Sequence, residues 1–496
     1  MALQKNFEKF SVSMLFSSLI TTWHALFFPI RVNSRVVLQP WLLQQGFLPY
    51  VQIGDEHAPL LPYILSWLSQ LFNADGLFTA RFLHGFLVWL IIFVSVWFTF
   101  QRGGRWAAFA CGAFFFVASN SLGFWAMWYD LAVAPIFLLA FFVIIHERPL
   151  FTMKMFLIGT MTGIGFLLKQ HALLLALLVP LALFTNIANH KLVWRDYVKP
   201  GLLSLVGFLI PISLYLVYFF SQSPDGYALW YWLIEFNLVG EYSALGAKAP
   251  TLPEIRGVLP LFVMILPFAF TTFHLGYIQQ EKRQARERWW LLFMMLLTAV
   301  MLYPRYSTMH WAATLPFLAI ASGIACGEIV TSTLKDKSKS FQTYKHWGLY
   351  LAIVGVLWVG PGTFNYMNVF IERENRTFIE YDGLPALARQ ITQTTPLGNI
   401  LLFPDDEGVG NLYYLLEKEP PRFWLMNYPW FRNEYETERW LTTVANDPPD
   451  QIIYFTSRGP QRYPELDQFI SQGYQTMYQL EWNNQVVEIK ERIPGN

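Results

Sequence analysis

Long apolar runs, broken by short polar interruptions, fill the first three quarters of the chain. A helix needs about 20 predominantly apolar residues to cross a bilayer. By that measure the pattern predicts eleven spans, at residues 11–30, 78–100, 106–123, 130–146, 154–168, 171–186, 201–220, 257–276, 289–303, 310–328 and 347–364. The fifth and sixth are short, which predicts that they tilt, bend or re-enter. An odd number of spans puts the two termini on opposite sides of the membrane.

Two interruptions are long. Residues 31–77 contain VVLQPWLLQQGFLPY, which reads as an amphipathic helix ending at Gly46, and LLPYILSWLSQLF, which reads as a second short helix. Such helices suit the membrane interface. Residues 221–256 carry Glu235, Glu241 and several aromatic residues. Past the last span the pattern changes. NILLF (399–403) and QIIYF (451–455) read as buried parallel strands, and YQTMYQLEW with QVVEIKER as a hairpin turning at Asn483–Asn484. LPALARQITQTT, VGNLYYLLEKE and ETERWLTTVAN read as helices beside them. The expectation is an α-helical polytopic membrane protein, with a transmembrane domain over 1–364 and a small α/β extracytoplasmic domain over 365–496. The outside loops are then 31–77 and 221–256.

Composition supports that class. The 496 residues are 54% hydrophobic and 14% charged, where soluble proteins carry about 25% charged residues. The net charge of +1 excludes a strong global attraction to nucleic acid. Cys111 and Cys326 fall inside apolar runs and read as small core residues. Lys5 and Lys9 precede the first run, and no small-residue cleavage site follows it, which predicts an uncleaved span. With the N-terminus cytoplasmic, the inside segments hold 17 Lys and Arg against 7 in the outside segments before the tail. That bias predicts N-in and C-out.

This orientation gathers the unusual charges on one face. Asp55, Glu56 and His57, in GDEHAPLLP, fall in the first outside loop. Asp130, in FWAMWYDLAVAP, opens the fourth span. Lys169, Gln170 and His171 form a polar island in GFLLKQHALLLALL, and Arg305 and His310 belong to YPRYSTMHW. Charges at membrane depth are costly and usually face a wet cavity, so one outward polar cavity is the economical expectation. Each residue also has a plain reading. Asp55–His57 suits a solvated turn before a Pro59-led helix, Asp130 an N-cap, and Lys169 a snorkelling side chain. The functional reading makes Asp55, Glu56 and Asp130 catalytic carboxylates, and Lys169 and Arg305 the donor phosphate contacts. His57, Gln170, His171 and His310 then support them. Glu56 and His57 are candidate ligands for a divalent metal, although no HExxH spacing points to zinc. There is no G-x-x-x-x-G-K-[ST] loop for a nucleotide-driven pump, nor a G-x-S-x-G nucleophile. Group transfer from a phosphorylated lipid fits the set, a carboxylate taking the acceptor proton and cations stabilising the departing phosphate.

The chain resembles the GT-C membrane glycosyltransferases, in the bacterial branch with the aminoarabinose and protein mannosyl transferases. The likeness lies in LLQQGFLPY, DEHAPLLPYILSWLSQLF and TARFLHG after the first span, then WYDLAVAP, GTMTGIGFLLKQ and PRYSTMHWAATLPFLAI. The resemblance implies a polyprenyl-phosphate sugar donor, an inverting transfer to a glycan, lipid or protein acceptor, and a site at the outer face of the bacterial cytoplasmic membrane. Asp130 carries over as the second acidic residue, and Lys169 and Arg305 as donor-phosphate contacts. The pattern's acidic residue just after the first span is missing, since PIRVNSRVV offers Asn33 and Ser34. That moves the base role to Asp55 or Glu56. A transporter or flippase of lipid-linked sugars, and a catalytically inactive relative acting as a binding protein, stand as alternatives.

Overall fold

The computed structural model describes residues 2–27, 30, 32–119, 122–124, 126–147, 150–190, 195–238, 248–252, 254–255, 268–269, 272, 282–303, 306–335, 380–405, 408–426, 434–457 and 464–494. The chain forms two compact units. One comprises residues 1–29, 82–215 and 248–373, the other residues 30–81, 216–247 and 374–496.

The first unit is helical among its described residues. Its helices are Ala2–Phe27, Gly76–Ala118 from residue 82 onward, Tyr129–Ile145, Phe151–Leu168, Leu178–His190, Arg195–Gln222 as far as residue 215, Lys282–Ala299 and Leu315–Lys335. Gly76–Ala118 covers two of the expected spans and breaks at Gly104 (φ 74°, ψ −166°), within the polar QRGGR interruption. Among the described residues three segments, Gly76–Ala118, Phe151–Leu168 and Tyr197–Gln222, are long and apolar enough to cross a membrane. Of the other expected spans, 257–276 lies outside the described residues except for 268, 269 and 272, and 347–364 lies outside them entirely.

Two stretches wind more tightly than the α-helices expected there. Gln170–Leu177 is a 3-10 helix, opened by the Ala172 N–H donating to the Lys169 carbonyl at 2.9 Å. Thr308–Ala313 is another, and the α-helix after it starts only at Leu315. Pro316 follows at once, and a proline belongs in a first turn, where its missing N–H costs nothing.

Small residues let helices of this unit approach closely. A Cβ on Gly163 would lie 2.5 Å from the Phe208 carbonyl oxygen, and one on Gly159 would collide with the Ser204 carbonyl. The helices Phe151–Leu168 and Arg195–Gln222 therefore touch backbone to backbone.

The second unit is built on a four-stranded sheet. Its strands are β2 (Ile400–Phe403), β4 (Gln451–Phe455), β5 (Tyr474–Trp482) and β6 (Gln485–Arg492), in the order β2-β4-β6-β5. β2 and β4 run parallel, with Ile400 opposite Gln451 and Phe403 opposite Tyr454. Both are buried at every position. A parallel pair covered on both faces is why these strands read as unbroken apolar runs. β5 and β6 form the hairpin, with Asn483 (φ 48°) and Asn484 (φ 59°) at its turn, the left-handed pair that a two-residue turn requires.

A second sheet has only two strands, β1 (Ile53–Gly54) and β3 (Trp424–Leu425), parallel, with Ile53 opposite Trp424 and Gly54 opposite Leu425. β1 leads directly into Asp55. Short helices flank it at Leu38–Gln44, with Gly46 at φ 81° just beyond, and at Leu60–Phe72. Deeper in the unit, Arg81 pairs with the fully buried Glu380 carboxylate, which also accepts from the Ile30 N–H at 3.3 Å.

Candidate active site: two buried ion clusters

Asp55 and Glu56 are both about 5% exposed, so the turn they form is not a solvated one. Ionised carboxylates at that depth require charged partners, and Arg35 is the first. Its Nε donates to Asp55 Oδ2 at 3.1 Å, and its Nη2 donates to Glu56 Oε2 at 2.8 Å and Oε1 at 3.0 Å. Gln39 Nε2 donates to Asp55 Oδ2 at 2.6 Å. The His57 N–H donates to Asp55 Oδ1 at 3.1 Å. The His57 ring Nδ1 lies 3.0 Å from that oxygen and 3.2 Å from Glu56 Oε1.

Local structure sets this arrangement. Asn33 Oδ1 accepts from the Arg35 N–H at 3.1 Å, and the Asn33 carbonyl accepts from the Val36 N–H at 3.0 Å. That tight turn presents Arg35, and the helix Leu38–Gln44 presents Gln39 four residues on. On the other side, the β1–β3 pair fixes Gly54. A Cβ there would lie 2.7 Å from Leu425 Cδ1 and 2.8 Å from Trp232 Cζ2. Asn237 Nδ2 donates to the Glu56 carbonyl at 3.0 Å, and Tyr50 Oη to the His57 carbonyl at 2.9 Å.

The electrostatics follow. Burial alone raises a carboxylic acid's pKa. At Asp55 the charges of Arg35 and His57, with the hydrogen bond from His57, overcome it and hold the group far below the usual carboxylate range. Burial disfavours a charged His57 ring, and Arg35 adds to that. The Glu56 and Asp55 carboxylates outweigh both and raise the ring above its ordinary value.

Asp55, Glu56 and His57 bring ligand atoms within 4.8 Å of one another, a spacing that suits a divalent ion. The donor set does not suit one beside Arg35. All four carboxylate oxygens already accept from Arg35, Gln39 or His57. An ion bonded to them at about 2.0–2.6 Å would take the place of the guanidinium nitrogens.

The second cluster belongs to the helical unit. Lys169 Nζ lies 2.6 Å from Asp130 Oδ2, His310 Nδ1 lies 2.8 Å from the same oxygen, and the two nitrogens are 3.4 Å apart. Asp130 is fully buried and Lys169 is 4% exposed, so the lysine does not snorkel. Asp130 does not cap its helix either. The N-cap of Tyr129–Ile145 is Trp128, which makes no side-chain cap bond. Lys169 ends the helix Phe151–Leu168 in extended backbone (φ −157°, ψ 126°), and His310 comes from the 3-10 turn Thr308–Ala313. Asp130 Oδ1 is buried and has no hydrogen-bond partner among the described residues.

The structure thus brings Asp130 together with Lys169 and His310, and groups Asp55, Glu56 and His57 with each other. His171 Nε2 lies 3.0 Å from the Tyr303 carbonyl oxygen. Gln170 is half-buried in the same 3-10 helix. Arg305 lies outside the described residues. Arg35 and Gln39 were not singled out in the sequence. The signal for Arg35 was there, because two carboxylates in an apolar setting demand a cation.

No protein-family model matches the sequence, and no curated protein does. Solved structures do. ArnT from Cupriavidus metallidurans bound to undecaprenyl phosphate is 14% identical, with a TM-score of 0.55 over 99% of this chain and 97% of that one. The same protein in its apo state gives 0.58, also at 14% identity, over 96% of this chain and 97% of that one. The archaeal oligosaccharyltransferase AglB from Archaeoglobus fulgidus, in complex with an inhibitory peptide and a dolichol-phosphate, is 12% identical, with a TM-score of 0.54 over 91% of this chain and 70% of that one. These are glycosyltransferases of the GT-C type, and the chain has their fold along nearly its whole length.

Proposed function

We propose that the protein is a membrane glycosyltransferase that moves a sugar from a polyprenyl-phosphate donor to an acceptor hydroxyl, amide or other nucleophile, with inversion. The observation that carries this reading is the Asp130–Lys169–His310 cluster, buried in a GT-C fold. A buried ion pair rarely adds stability over well-packed apolar side chains, so its retention among spanning helices points to chemistry. ArnT, of the same fold, was solved with undecaprenyl phosphate and AglB with a dolichol-phosphate, which supports a lipid phosphate as the donor's leaving group.

Each cluster is given the step its own chemistry suits. Asp55 or Glu56 accepts the proton of the acceptor as its nucleophilic atom bonds to the anomeric carbon. The bond from that carbon to the phosphate oxygen breaks, and polyprenyl phosphate departs with the electron pair. Lys169, with Arg305, stabilises the charge that develops on that oxygen. Asp130 and His310 orient the Lys169 ammonium. The site and the tail are assigned to the outer side of the cytoplasmic membrane, on the distribution of Lys and Arg along the chain.

The test is release of polyprenyl phosphate by purified protein supplied with a mixed polyprenyl-phosphate sugar extract and a membrane acceptor fraction. Wild type should release it, and Lys169→Met and Asp130→Ala should each lose at least about a hundredfold. Release unchanged in both variants would remove the cluster from the mechanism. Donor that neither binds nor turns over would favour the inactive binding protein instead.

A further inference from the structure

We propose that Arg35 is the resident cation of the Asp55–Glu56–His57 loop, and that the loop works without a divalent metal. The inference deepens the transferase reading and rests on it for its kinetic arm only. Three groups with ligand atoms within 4.8 Å would ordinarily be read as a metal site. Here the middle of the group is taken. The Arg35 guanidinium is 4% exposed and reaches both carboxylates, through Nε to Asp55 and through Nη2 to both oxygens of Glu56. A planar fork that spans two carboxylates does what a bridging ion does. It fixes their separation.

Charge points the same way. The guanidinium already places a positive charge against both carboxylates, where an ion of charge +2 would have to sit. For an ion to bind, Arg35 would have to give up its acceptors, which leaves a guanidinium buried without them, a costly state. Nor is Arg35 loosely placed. Its backbone is held by Asn33 Oδ1 at 3.1 Å, within the Asn33–Val36 turn. Arg35 is on this account a positioning residue that acts through Asp55 and Glu56.

The experiment is a Mn²⁺ titration of the purified full-length protein, followed by electron paramagnetic resonance. Wild type should show no stoichiometric site that Glu56→Gln removes. Arg35→Met leaves two carboxylates and an imidazole without the guanidinium. It should gain one Mn²⁺ per chain, bound at least about tenfold tighter than by wild type, and lose it again in Arg35→Met/Glu56→Gln. In the release assay, EDTA should leave wild type unchanged, Arg35→Lys should keep some of the turnover, and Arg35→Met should fall and recover partially with Mn²⁺. A stoichiometric Mn²⁺ site in wild type that Glu56→Gln abolishes overturns the proposal. That comparison needs no turnover and no folded Arg35→Met, so failure of the transferase reading and failure of this one are told apart.

Discussion

Gly54 has no room for a side chain, and Asp55 follows it directly. A methyl group there meets Leu425 and Trp232 inside normal contact distance, and overpacking of a fitted core costs about 1–3 kcal/mol. Gly54→Ala should therefore lower the thermal midpoint in a differential scanning fluorimetry measurement. The titrating groups make a second expectation. The Asp55 contribution to stability is complete above its ordinary value of 3.8 and is lost as pH falls through its depressed folded value. The His57 contribution is complete below 6.5 and is lost as pH rises through its raised value. Both are present between those two ordinary values. Thermal midpoints should decline from there toward alkaline pH, and His57→Gln should flatten that decline. At this scale the sequence was only partially legible. Asp55, Glu56, Asp130 and Lys169 stood out because charge beside apolar runs is expensive. The pairing of residue 35 with residue 55, and of 130 with 169 and 310, was not legible, because no local period encodes it.

Elements were easier to read wherever a local rule governs them. The helix Leu60–Phe72 has the limits of its apolar run, and β2, β4 and the Asn483–Asn484 hairpin fall where unbroken apolar runs and turn chemistry place them. Asn484 stands at φ 59°, a conformation glycine adopts freely. Asn484→Gly should be neutral or raise stability by a few tenths of a kcal/mol, and Asn484→Val should cost about 1 kcal/mol or more, both read from chemical denaturation of the full-length protein. The 3-10 stretches at Gln170–Leu177 and Thr308–Ala313 were not legible, since their apolar spacing does not separate them from α-helix. Helix contacts in the first unit yield a further expectation. Gly159 faces the Ser204 carbonyl with no space for a Cβ, so Gly159→Val must push the facing helices apart. The variant should lose most of its monodisperse peak in fluorescence-detected size exclusion, while Gly201→Ala, with open space around it, should keep it.

For the whole molecule, a likeness of 14% identity over 99% of the chain means that pattern, far more than residue identity, carries this fold. Spans need only apolar length, and loops need only enough charge to choose a side. The orientation assigned above is checked with cysteines. In a Cys111→Ser/Cys326→Ser background, Thr476→Cys should react with an impermeant maleimide in intact cells, and Gln101→Cys only after lysis. Both positions are exposed, so silence at Thr476 would place the tail inside. The small β1–β3 sheet bears on how the protein is made. Ile53 leaves the ribosome long before Trp424, the residue it pairs with. The strand leading into Asp55 therefore waits for its neighbour until the intervening chain has been made. A nascent or prematurely released chain holds Asp55, Glu56 and the Arg35 that binds them, but the strand leading into them has no β3 to pair with.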